Sequence, residues 1–246
     1  MPHPPQDTAI RVDGVVVRYP RFTLGPATFA VARGERCAVV GANGAGKSTL
    51  LSALAGQLTP DAGTAHIGVL AIPGDLVAVR ATVAYVGERL LCCPWLTAAQ
   101  HFTLQAHFFP QWEARAALET ARALSLPLDV PLGNLSRGNS MKAALCSAVA
   151  QHATVLLLDE PTAGLDPVAR AELLRLLSTE LAARPELTIL FATHILEDLD
   201  DLGATALVTL RNGSLAMHAI PSASGRGAAR ELAQQLLFAS LPERAS

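Results

Sequence analysis

The sequence predicts an α/β protein: a mostly parallel sheet, preceded by antiparallel strands and interrupted by a helical insert. Three observations carry this reading. Apolar, buried-type runs at 154–158 and 188–192 flank a leucine-rich helical stretch at 167–183, and strand, helix, strand in that order implies parallel pairing. The first third of the chain is rich in valine and other β-branched residues, the composition of strands. From 97 to 126 alanine and leucine take over, the composition of helices.

Taken in order, 10–17 reads as a strand, and 29–31 leads through the turn Arg33-Gly34-Glu35 to an apolar strand at 37–40. An apolar helix follows at 50–58. Between 63 and 86, short valine-rich runs broken by Gly68, Pro73 and Gly74 predict further antiparallel strands. The helical stretch at 97–126 opens on Thr97 as N-cap, breaks at Pro110 and stops at Pro127. Met141, Ala144, Leu145, Ala148 and Val149 then fall at i, i+3, i+4, i+7 and i+8, one face of a helix. After the strand–helix–strand unit, 206–210 and 215–219 flank Arg211-Asn212-Gly213-Ser214, whose Asn-Gly pair suits a tight hairpin. In the tail, Leu232, Leu236 and Leu237 keep helical spacing, either as an amphipathic helix packed on its own domain or as a docking helix. No internal repeat is visible.

Composition narrows the function classes. The 246 residues permit one large α/β domain or two small ones, and 50% hydrophobic with 16% charged residues excludes a disordered chain. A net charge of −2 is too balanced for a broad nucleic-acid footprint, so no nucleic acid is expected as partner. Mean hydropathy is +0.33. Even so, the longest apolar runs, such as Val155-Leu156-Leu157-Leu158, fall far short of the roughly 20 residues that span a bilayer. Met1-Pro2-His3-Pro4-Pro5-Gln6-Asp7 lacks the pattern of a secretory signal, which reads as cytoplasmic. Cys37, Cys92, Cys93 and Cys146 follow no zinc spacing and read as buried or incidental thiols.

The chemistry begins at Gly41-Ala42-Asn43-Gly44-Ala45-Gly46-Lys47-Ser48-Thr49, directly after an apolar strand and before an apolar helix. It matches the phosphate-binding loop pattern, in which glycines turn backbone N–H groups toward phosphate oxygens and the helix points its positive end at them. Lys47, one of two lysines in the chain, reaches the β- and γ-phosphates, and Ser48 ligates Mg²⁺. The strand at 155–158 ends in Asp159 and Glu160, where ligands approach an α/β sheet. Asp159 is the second candidate Mg²⁺ ligand. Glu160, on the alternate side of the strand end, is the candidate general base for an attacking water. His194 follows the strand at 188–192, whose end should lie beside the same site, where it can bond the γ-phosphate or the water.

Together these residues resemble the nucleotide-binding domain of ABC (ATP-binding cassette) transporters, over about residues 8 to 222. Gly41 to Thr49 is similar to the family's Walker A motif, 155–160 with Pro161-Thr162 to Walker B, Ala163-Gly164-Leu165-Asp166 to the D-loop, and His194 to the switch histidine. The resemblance implies a P-loop NTPase (RecA-like) core, an N-terminal antiparallel β subdomain and an α-helical signature subdomain at about 88–152. The ABC ATPase domain would then run over 1–222, with an amphipathic tail at 223–246. It implies ATP and Mg²⁺ as cofactors, with Tyr19 stacking on adenine.

Leu135-Ser136-Arg137-Gly138-Asn139 stands where the family's signature reads LSGGQ. Ser136 and Gly138 keep the contacts that would cap a partner chain's ATP, Asp166 belongs to the D-loop, and the S-R-G form with Met141-Lys142 resembles bacterial ABC-2 type exporters. Glu88 stands at the Q-loop position as a Mg²⁺ and nucleotide ligand, or is a surface acid paired with Arg89. The apolar run at 90–96, with Phe102 and Phe108-Phe109, either accepts a membrane subunit's coupling helix or fills the subdomain's own core.

The implied function is an ATP-hydrolysing subunit of an ABC transporter, placed with exporters by its signature form alone, acting as a homodimer or heterodimer of cassettes beneath a separate transmembrane permease on the inner face of the cell membrane. The alternatives are a soluble, non-transport ABC ATPase and a regulatory cassette that binds ATP without turnover.

Overall fold

A computed structural model describes residues 7–87, 93–220 and 227–238. The chain opens with a long hairpin, β1 (Thr8–Tyr19) and β2 (Phe22–Ala32), then enters β3 (Arg36–Val40) and helix α1 (Lys47–Leu54). It returns through β4 (Ala62–Ile67), β5 (Leu70–Ile72), α2 (Leu76–Thr82) and β6 (Val83–Val86). Helices α3 (Ala98–Gln105), α4 (Ala114–Ala123) and α5 (Arg137–Ala150) follow. The chain then alternates β7 (Val155–Asp159), α6 (Pro167–Ala183), β8 (Thr188–Thr193), α7 (Glu197–Asp201), β9 (Ala206–Arg211), β10 (Ser214–Ala219) and α8 (Ala228–Phe238).

Among the described residues these strands form two sheets. An antiparallel sheet runs β2-β1-β4-β5, and a second runs β10-β9-β3-β8-β7-β6, parallel except for the β9–β10 hairpin. The central parallel strands are buried on both faces, which is why they are continuous apolar runs rather than alternating ones. Cys37, Val39, Leu157 and Leu190 turn toward α1 and the antiparallel sheet. Their neighbours Ala38, Val40, Leu156, Leu158 and Phe191 turn toward α5, α6 and α8. Helix α1 is thus sandwiched between two sheets, with Leu50, Leu51 and Leu54 fully covered. Burying each such side chain contributes about 1.5–3 kcal/mol. A third cluster, including Phe102, Ala117, Leu124 and Cys146, joins α3, α4 and α5.

Four sequence expectations need correction or completion. Only β4 and β5 of the 63–86 region are antiparallel strands; 76–82 is helical, and β6 pairs in parallel with β7, from Val83 opposite Val155 to Val86 opposite Leu158. Val83 and Ala84 face opposite clusters, so β6 is buried on both sides like its neighbours. The helix expected over 50–58 ends at Leu54, because Gly56 adopts a left-handed φ of 66° and its carbonyl accepts from Arg80 Nη2 at 2.6 Å. Helix α7 carries no apolar periodicity long enough to announce it. The tail helix α8 packs on its own domain through Ala229, Ala233, Leu232 and Leu236.

Among the described residues no helix is long and apolar enough to cross a membrane. Cys37, Cys93 and Cys146 are free thiols, and burial pushes the Cys146 thiol up to about 12. Cys92 lies outside the described residues.

Candidate functional site

Strand β3 delivers the loop Gly41–Gly46 to the end of the parallel sheet, and α1 begins at Lys47. Gly46 holds φ at 109°, and a Cβ there would stand 2.6 Å from Phe22 Cζ, so only glycine lets the loop turn into the helix beneath that ring. No side chain caps the N-terminus of α1. Its first-turn N–H groups therefore present a set of donors suited to an anion.

Lys47 is only 6% exposed. Its Nζ donates to the carbonyl of Gly41 at 2.9 Å and lies 3.1 Å from Glu160 Oε1. The other oxygen, Glu160 Oε2, is 2.7 Å from His194 Nδ1 and accepts from the His194 backbone N–H at 3.2 Å. One carboxylate thus joins the lysine of the loop to the histidine after β8. Asp159 points elsewhere. It is 5% exposed, and its Oδ2 accepts from the Tyr85 hydroxyl at 3.2 Å, while its Oδ1 is buried without a hydrogen-bond partner. Burial, first among several influences, raises the Asp159 pKa above the usual carboxylate value. Burial and then the Asp159 charge push the Tyr85 phenol up to about 12, so it stays a neutral donor to Asp159.

The two carboxylates diverge, but not through strand alternation. Strand β7 ends at Asp159, and Glu160 takes a left-handed φ of 51°, held by its N–H donating to the Ala192 carbonyl at 2.9 Å. Behind this turn, Asp198 is fully buried and accepts from Thr162 Oγ1 at 2.5 Å, Thr193 Oγ1 at 2.8 Å and Arg170 Nη2 at 2.7 Å. It ties the segment after Glu160 to the residue before His194. Sequence reasoning missed Asp198, since an acid in an acidic five-residue helix gives no sign that it turns inward.

An open cleft of about 530 Å³ lies over the loop and Glu160. Tyr19, Asn43, Gly44, Gly46, Lys47, Ser48, Thr49, Glu160 and His194 line it; Gly41 and Ala45 line the adjoining cavity behind the loop. Phe22, with its ring 6.4 Å from that of Tyr19, belongs to the same wall. Its position three residues after Tyr19, across the β1–β2 turn, was the available signal.

The remaining candidates fall elsewhere. Ser136 and Gly138 do not line the cleft: Ser136 caps α5, its Oγ accepting from the Asn139 N–H at 3.3 Å. Asp166 is committed to α6, accepting from the N–H groups of Val168 at 2.9 Å and Ala169 at 3.0 Å, and these bonds hold its carboxyl below the ordinary value. Glu88 lies outside the described residues. So do Leu90, Leu91 and Cys92 of the apolar run at 90–96, while Trp95 is largely exposed; Phe102 faces the helical core, and Phe108 faces solvent.

For a divalent cation the donor set is Ser48 and Asp159, and the partnerless, buried Oδ1 is a carboxylate oxygen that a hard cation would satisfy. Among the described residues no cluster of three His, Cys, Asp or Glu could hold a metal alone, so any Mg²⁺ there would share its ligands with a bound phosphate.

A family model described as ABC transporter matches residues 24–163. The chain is 33% identical, over 83% of its length and 64% of the relative's, to "Nod factor export ATP-binding protein I" of Ralstonia nicotianae. It is 34% identical, over 78% of its length and 40% of the relative's, to "Ribose import ATP-binding protein RbsA 2" of Burkholderia cenocepacia. The chain thus spans less than two thirds of either relative. A solved ATP-binding subunit of an ABC transporter superposes with a TM-score of 0.77 at 29% identity, covering 87% of this chain and 90% of that one. A dimeric, post-hydrolysis ATP-binding cassette bound to ADP and Pi shares the fold at a TM-score of 0.76 and 20% identity, covering 87% of this chain and 99% of that one.

Proposed function

Because the chain belongs to the ABC transporter family, we propose that it is an ATP-binding and ATP-hydrolysing subunit that powers export through a separate transmembrane permease. The observation that carries this reading is the Glu160 carboxylate held between Lys47 and His194 at the mouth of a phosphate-binding loop.

In this reading ATP lies along the cleft with its base toward Tyr19 and Phe22 and its phosphates on the loop amides, Lys47, Ser48 and Thr49. Ser48 and Asp159 would hold Mg²⁺, which supplies charge neutralisation at the phosphates. Glu160 orients a water for attack on the γ-phosphorus and accepts its proton; the contact with His194 keeps the carboxylate aimed. Lys47 is shared between Glu160 and the loop carbonyls, so a γ-phosphate would draw its ammonium away from Glu160 and free that carboxylate oxygen for the water.

Two cassettes would close head to tail on two nucleotides, with Ser136, Gly138 and the N-terminus of α5 completing the opposite site. Exposed Ser136, outside its own cleft, fits that division. The direction, export, rests on the Ser136-Arg137-Gly138 form, since the relatives' names include both export and import. The association with the membrane would be peripheral, through the permease.

The test is affinity purification of the tagged Glu160→Gln chain from detergent-solubilised native membranes with ATP present. A co-purifying multi-span protein is the expected result. Ribosomal or DNA-bound factors with no membrane protein would overturn the transport assignment, and recovery of the chain alone would favour a regulatory cassette.

A further inference from the structure

Asp198 sits in α7, where four of the five residues are acids, yet it is fully buried and meets three separate segments of the chain. One carboxylate oxygen, Oδ2, accepts from the hydroxyls of Thr162 at 2.5 Å and Thr193 at 2.8 Å, and the other, Oδ1, accepts from Arg170 Nη2 at 2.7 Å. Both threonines are buried as well. Thr162 lies two residues beyond Glu160, Thr193 directly precedes His194, and Arg170 lies in the first turn of α6, its N–H donating to the Asp166 carbonyl at 3.0 Å. A single buried oxygen thus receives one hydroxyl from the segment of Glu160 and one from the segment of His194.

The Thr193 hydroxyl has a second task. It accepts from the Ile195 N–H at 3.0 Å, closing a turn around His194, and its contact with Asp198 is shorter than the 3.4 Å to the Ile195 carbonyl, so Asp198 is the better acceptor for its proton. On the cleft side the two segments meet directly: the Glu160 N–H donates to the Ala192 carbonyl at 2.9 Å, and Glu160 Oε2 accepts from the His194 N–H at 3.2 Å and lies 2.7 Å from His194 Nδ1. Asp198 does not line that cleft. The segments are therefore fastened at two places, and the second fastening fixes the angle about which the first alone would let them pivot.

We propose that Asp198 is a positioning residue for ATP hydrolysis: it touches neither nucleotide nor water, and it holds Thr162 and Thr193 so that Glu160 stays aimed beside His194. The proposal rests on the ATPase reading above and adds to it a residue outside the cleft. Burying a carboxylate is costly unless it is paired and hydrogen-bonded, and Arg170 with the two hydroxyls meets that requirement. A carboxylate that only accepts makes both hydroxyls donate to it, which sets their direction. An asparagine could not replace it, because its NH₂ group would face a donor on either side, the hydroxyls or the guanidinium.

The experiment measures kcat and KM for Mg-ATP with the full chain at one fixed concentration, beside Lys47→Ala, at a temperature where urea unfolding shows every variant folded. Asp198→Asn, Thr162→Val and Thr193→Val should each lower kcat about 10- to 100-fold and change KM by less than about 2-fold, since a misplaced base costs the transition state and not the binding of ATP. Thr162→Ser and Thr193→Ser keep the hydroxyl and should retain kcat within about 3-fold, the margin left for the lost methyl group. Wild-type kcat in the folded valine variants, losses confined to KM, or serine variants as impaired as the valine ones would overturn the positioning role while leaving the ATPase reading intact. Wild-type turnover no faster than that of Lys47→Ala would instead remove the proposed function, and this inference with it.

Discussion

Glu160 shows how one residue's backbone sets a site. A non-glycine residue at a φ of 51° costs on the order of 1–3 kcal/mol, and the cost is tolerated here because the N–H bond to Ala192 and the contacts to Lys47 and His194 hold the turn. From sequence, strand alternation was enough to send Asp159 and Glu160 to different tasks; the left-handed turn that separates them has no signature of its own. Tyr85 was equally silent, an ordinary strand tyrosine until β6 is paired with β7 and its hydroxyl meets Asp159. That contact yields a prediction. Tyr85→Phe removes a donor to a carboxylate already raised by burial, so the Mg²⁺ concentration giving half-maximal ATP turnover should rise about 3- to 10-fold, the effect of one lost hydrogen bond to a charged group. Turnover at saturating Mg²⁺ should change little. An unchanged Mg²⁺ requirement would detach Asp159 from the cation.

Among elements, those with chemical punctuation were legible. Thr97 caps α3 with its hydroxyl accepting from the Gln100 N–H, while the Thr97 N–H donates to Gln100 Oε1, and the helix begins where the sequence places it. Asn212 and Gly213 take the positive φ values of 45° and 84° that their hairpin needs. Helix α2 was misread because Leu76-Val77-Ala78-Val79 has strand composition, and tertiary packing of Val79 overrides that preference. Helix α3 also carries a latent weakness: His101 is 1% exposed with both ring nitrogens lacking hydrogen-bond partners, and burial lowers its pKa. A histidine with a lowered folded pKa stays neutral in the fold, while the unfolded chain takes up a proton below its ordinary value of 6.5. Stability from this group is therefore complete above that value and is lost as pH falls toward the folded pKa. His101→Leu should match or exceed the wild type in urea midpoint near neutral pH and lose less on acidification. A parallel acid loss in both proteins would contradict it.

At the scale of the whole molecule, the parallel sheet was legible because strands buried on both faces must be apolar throughout, and the motifs stand at their ends. What the sequence did not expose is the arrangement that long-range packing creates: Asp198 reaching Thr162 and Thr193, and Arg137 seated against Gly164. The cleft lined by Lys47, Glu160 and His194 is open, while Ser136 at the N-terminus of α5 lies outside it. A chain built this way would need a second copy, or a second cassette, to close its site. The central claim, an ATPase whose sites are completed between two cassettes, is tested most directly by phosphate release from Mg-ATP by the purified chain over a series of chain concentrations, beside Lys47→Ala. The account predicts saturable turnover whose rate per chain rises with chain concentration, and background release from the variant. Wild-type release no higher than that of Lys47→Ala at any chain concentration would contradict it.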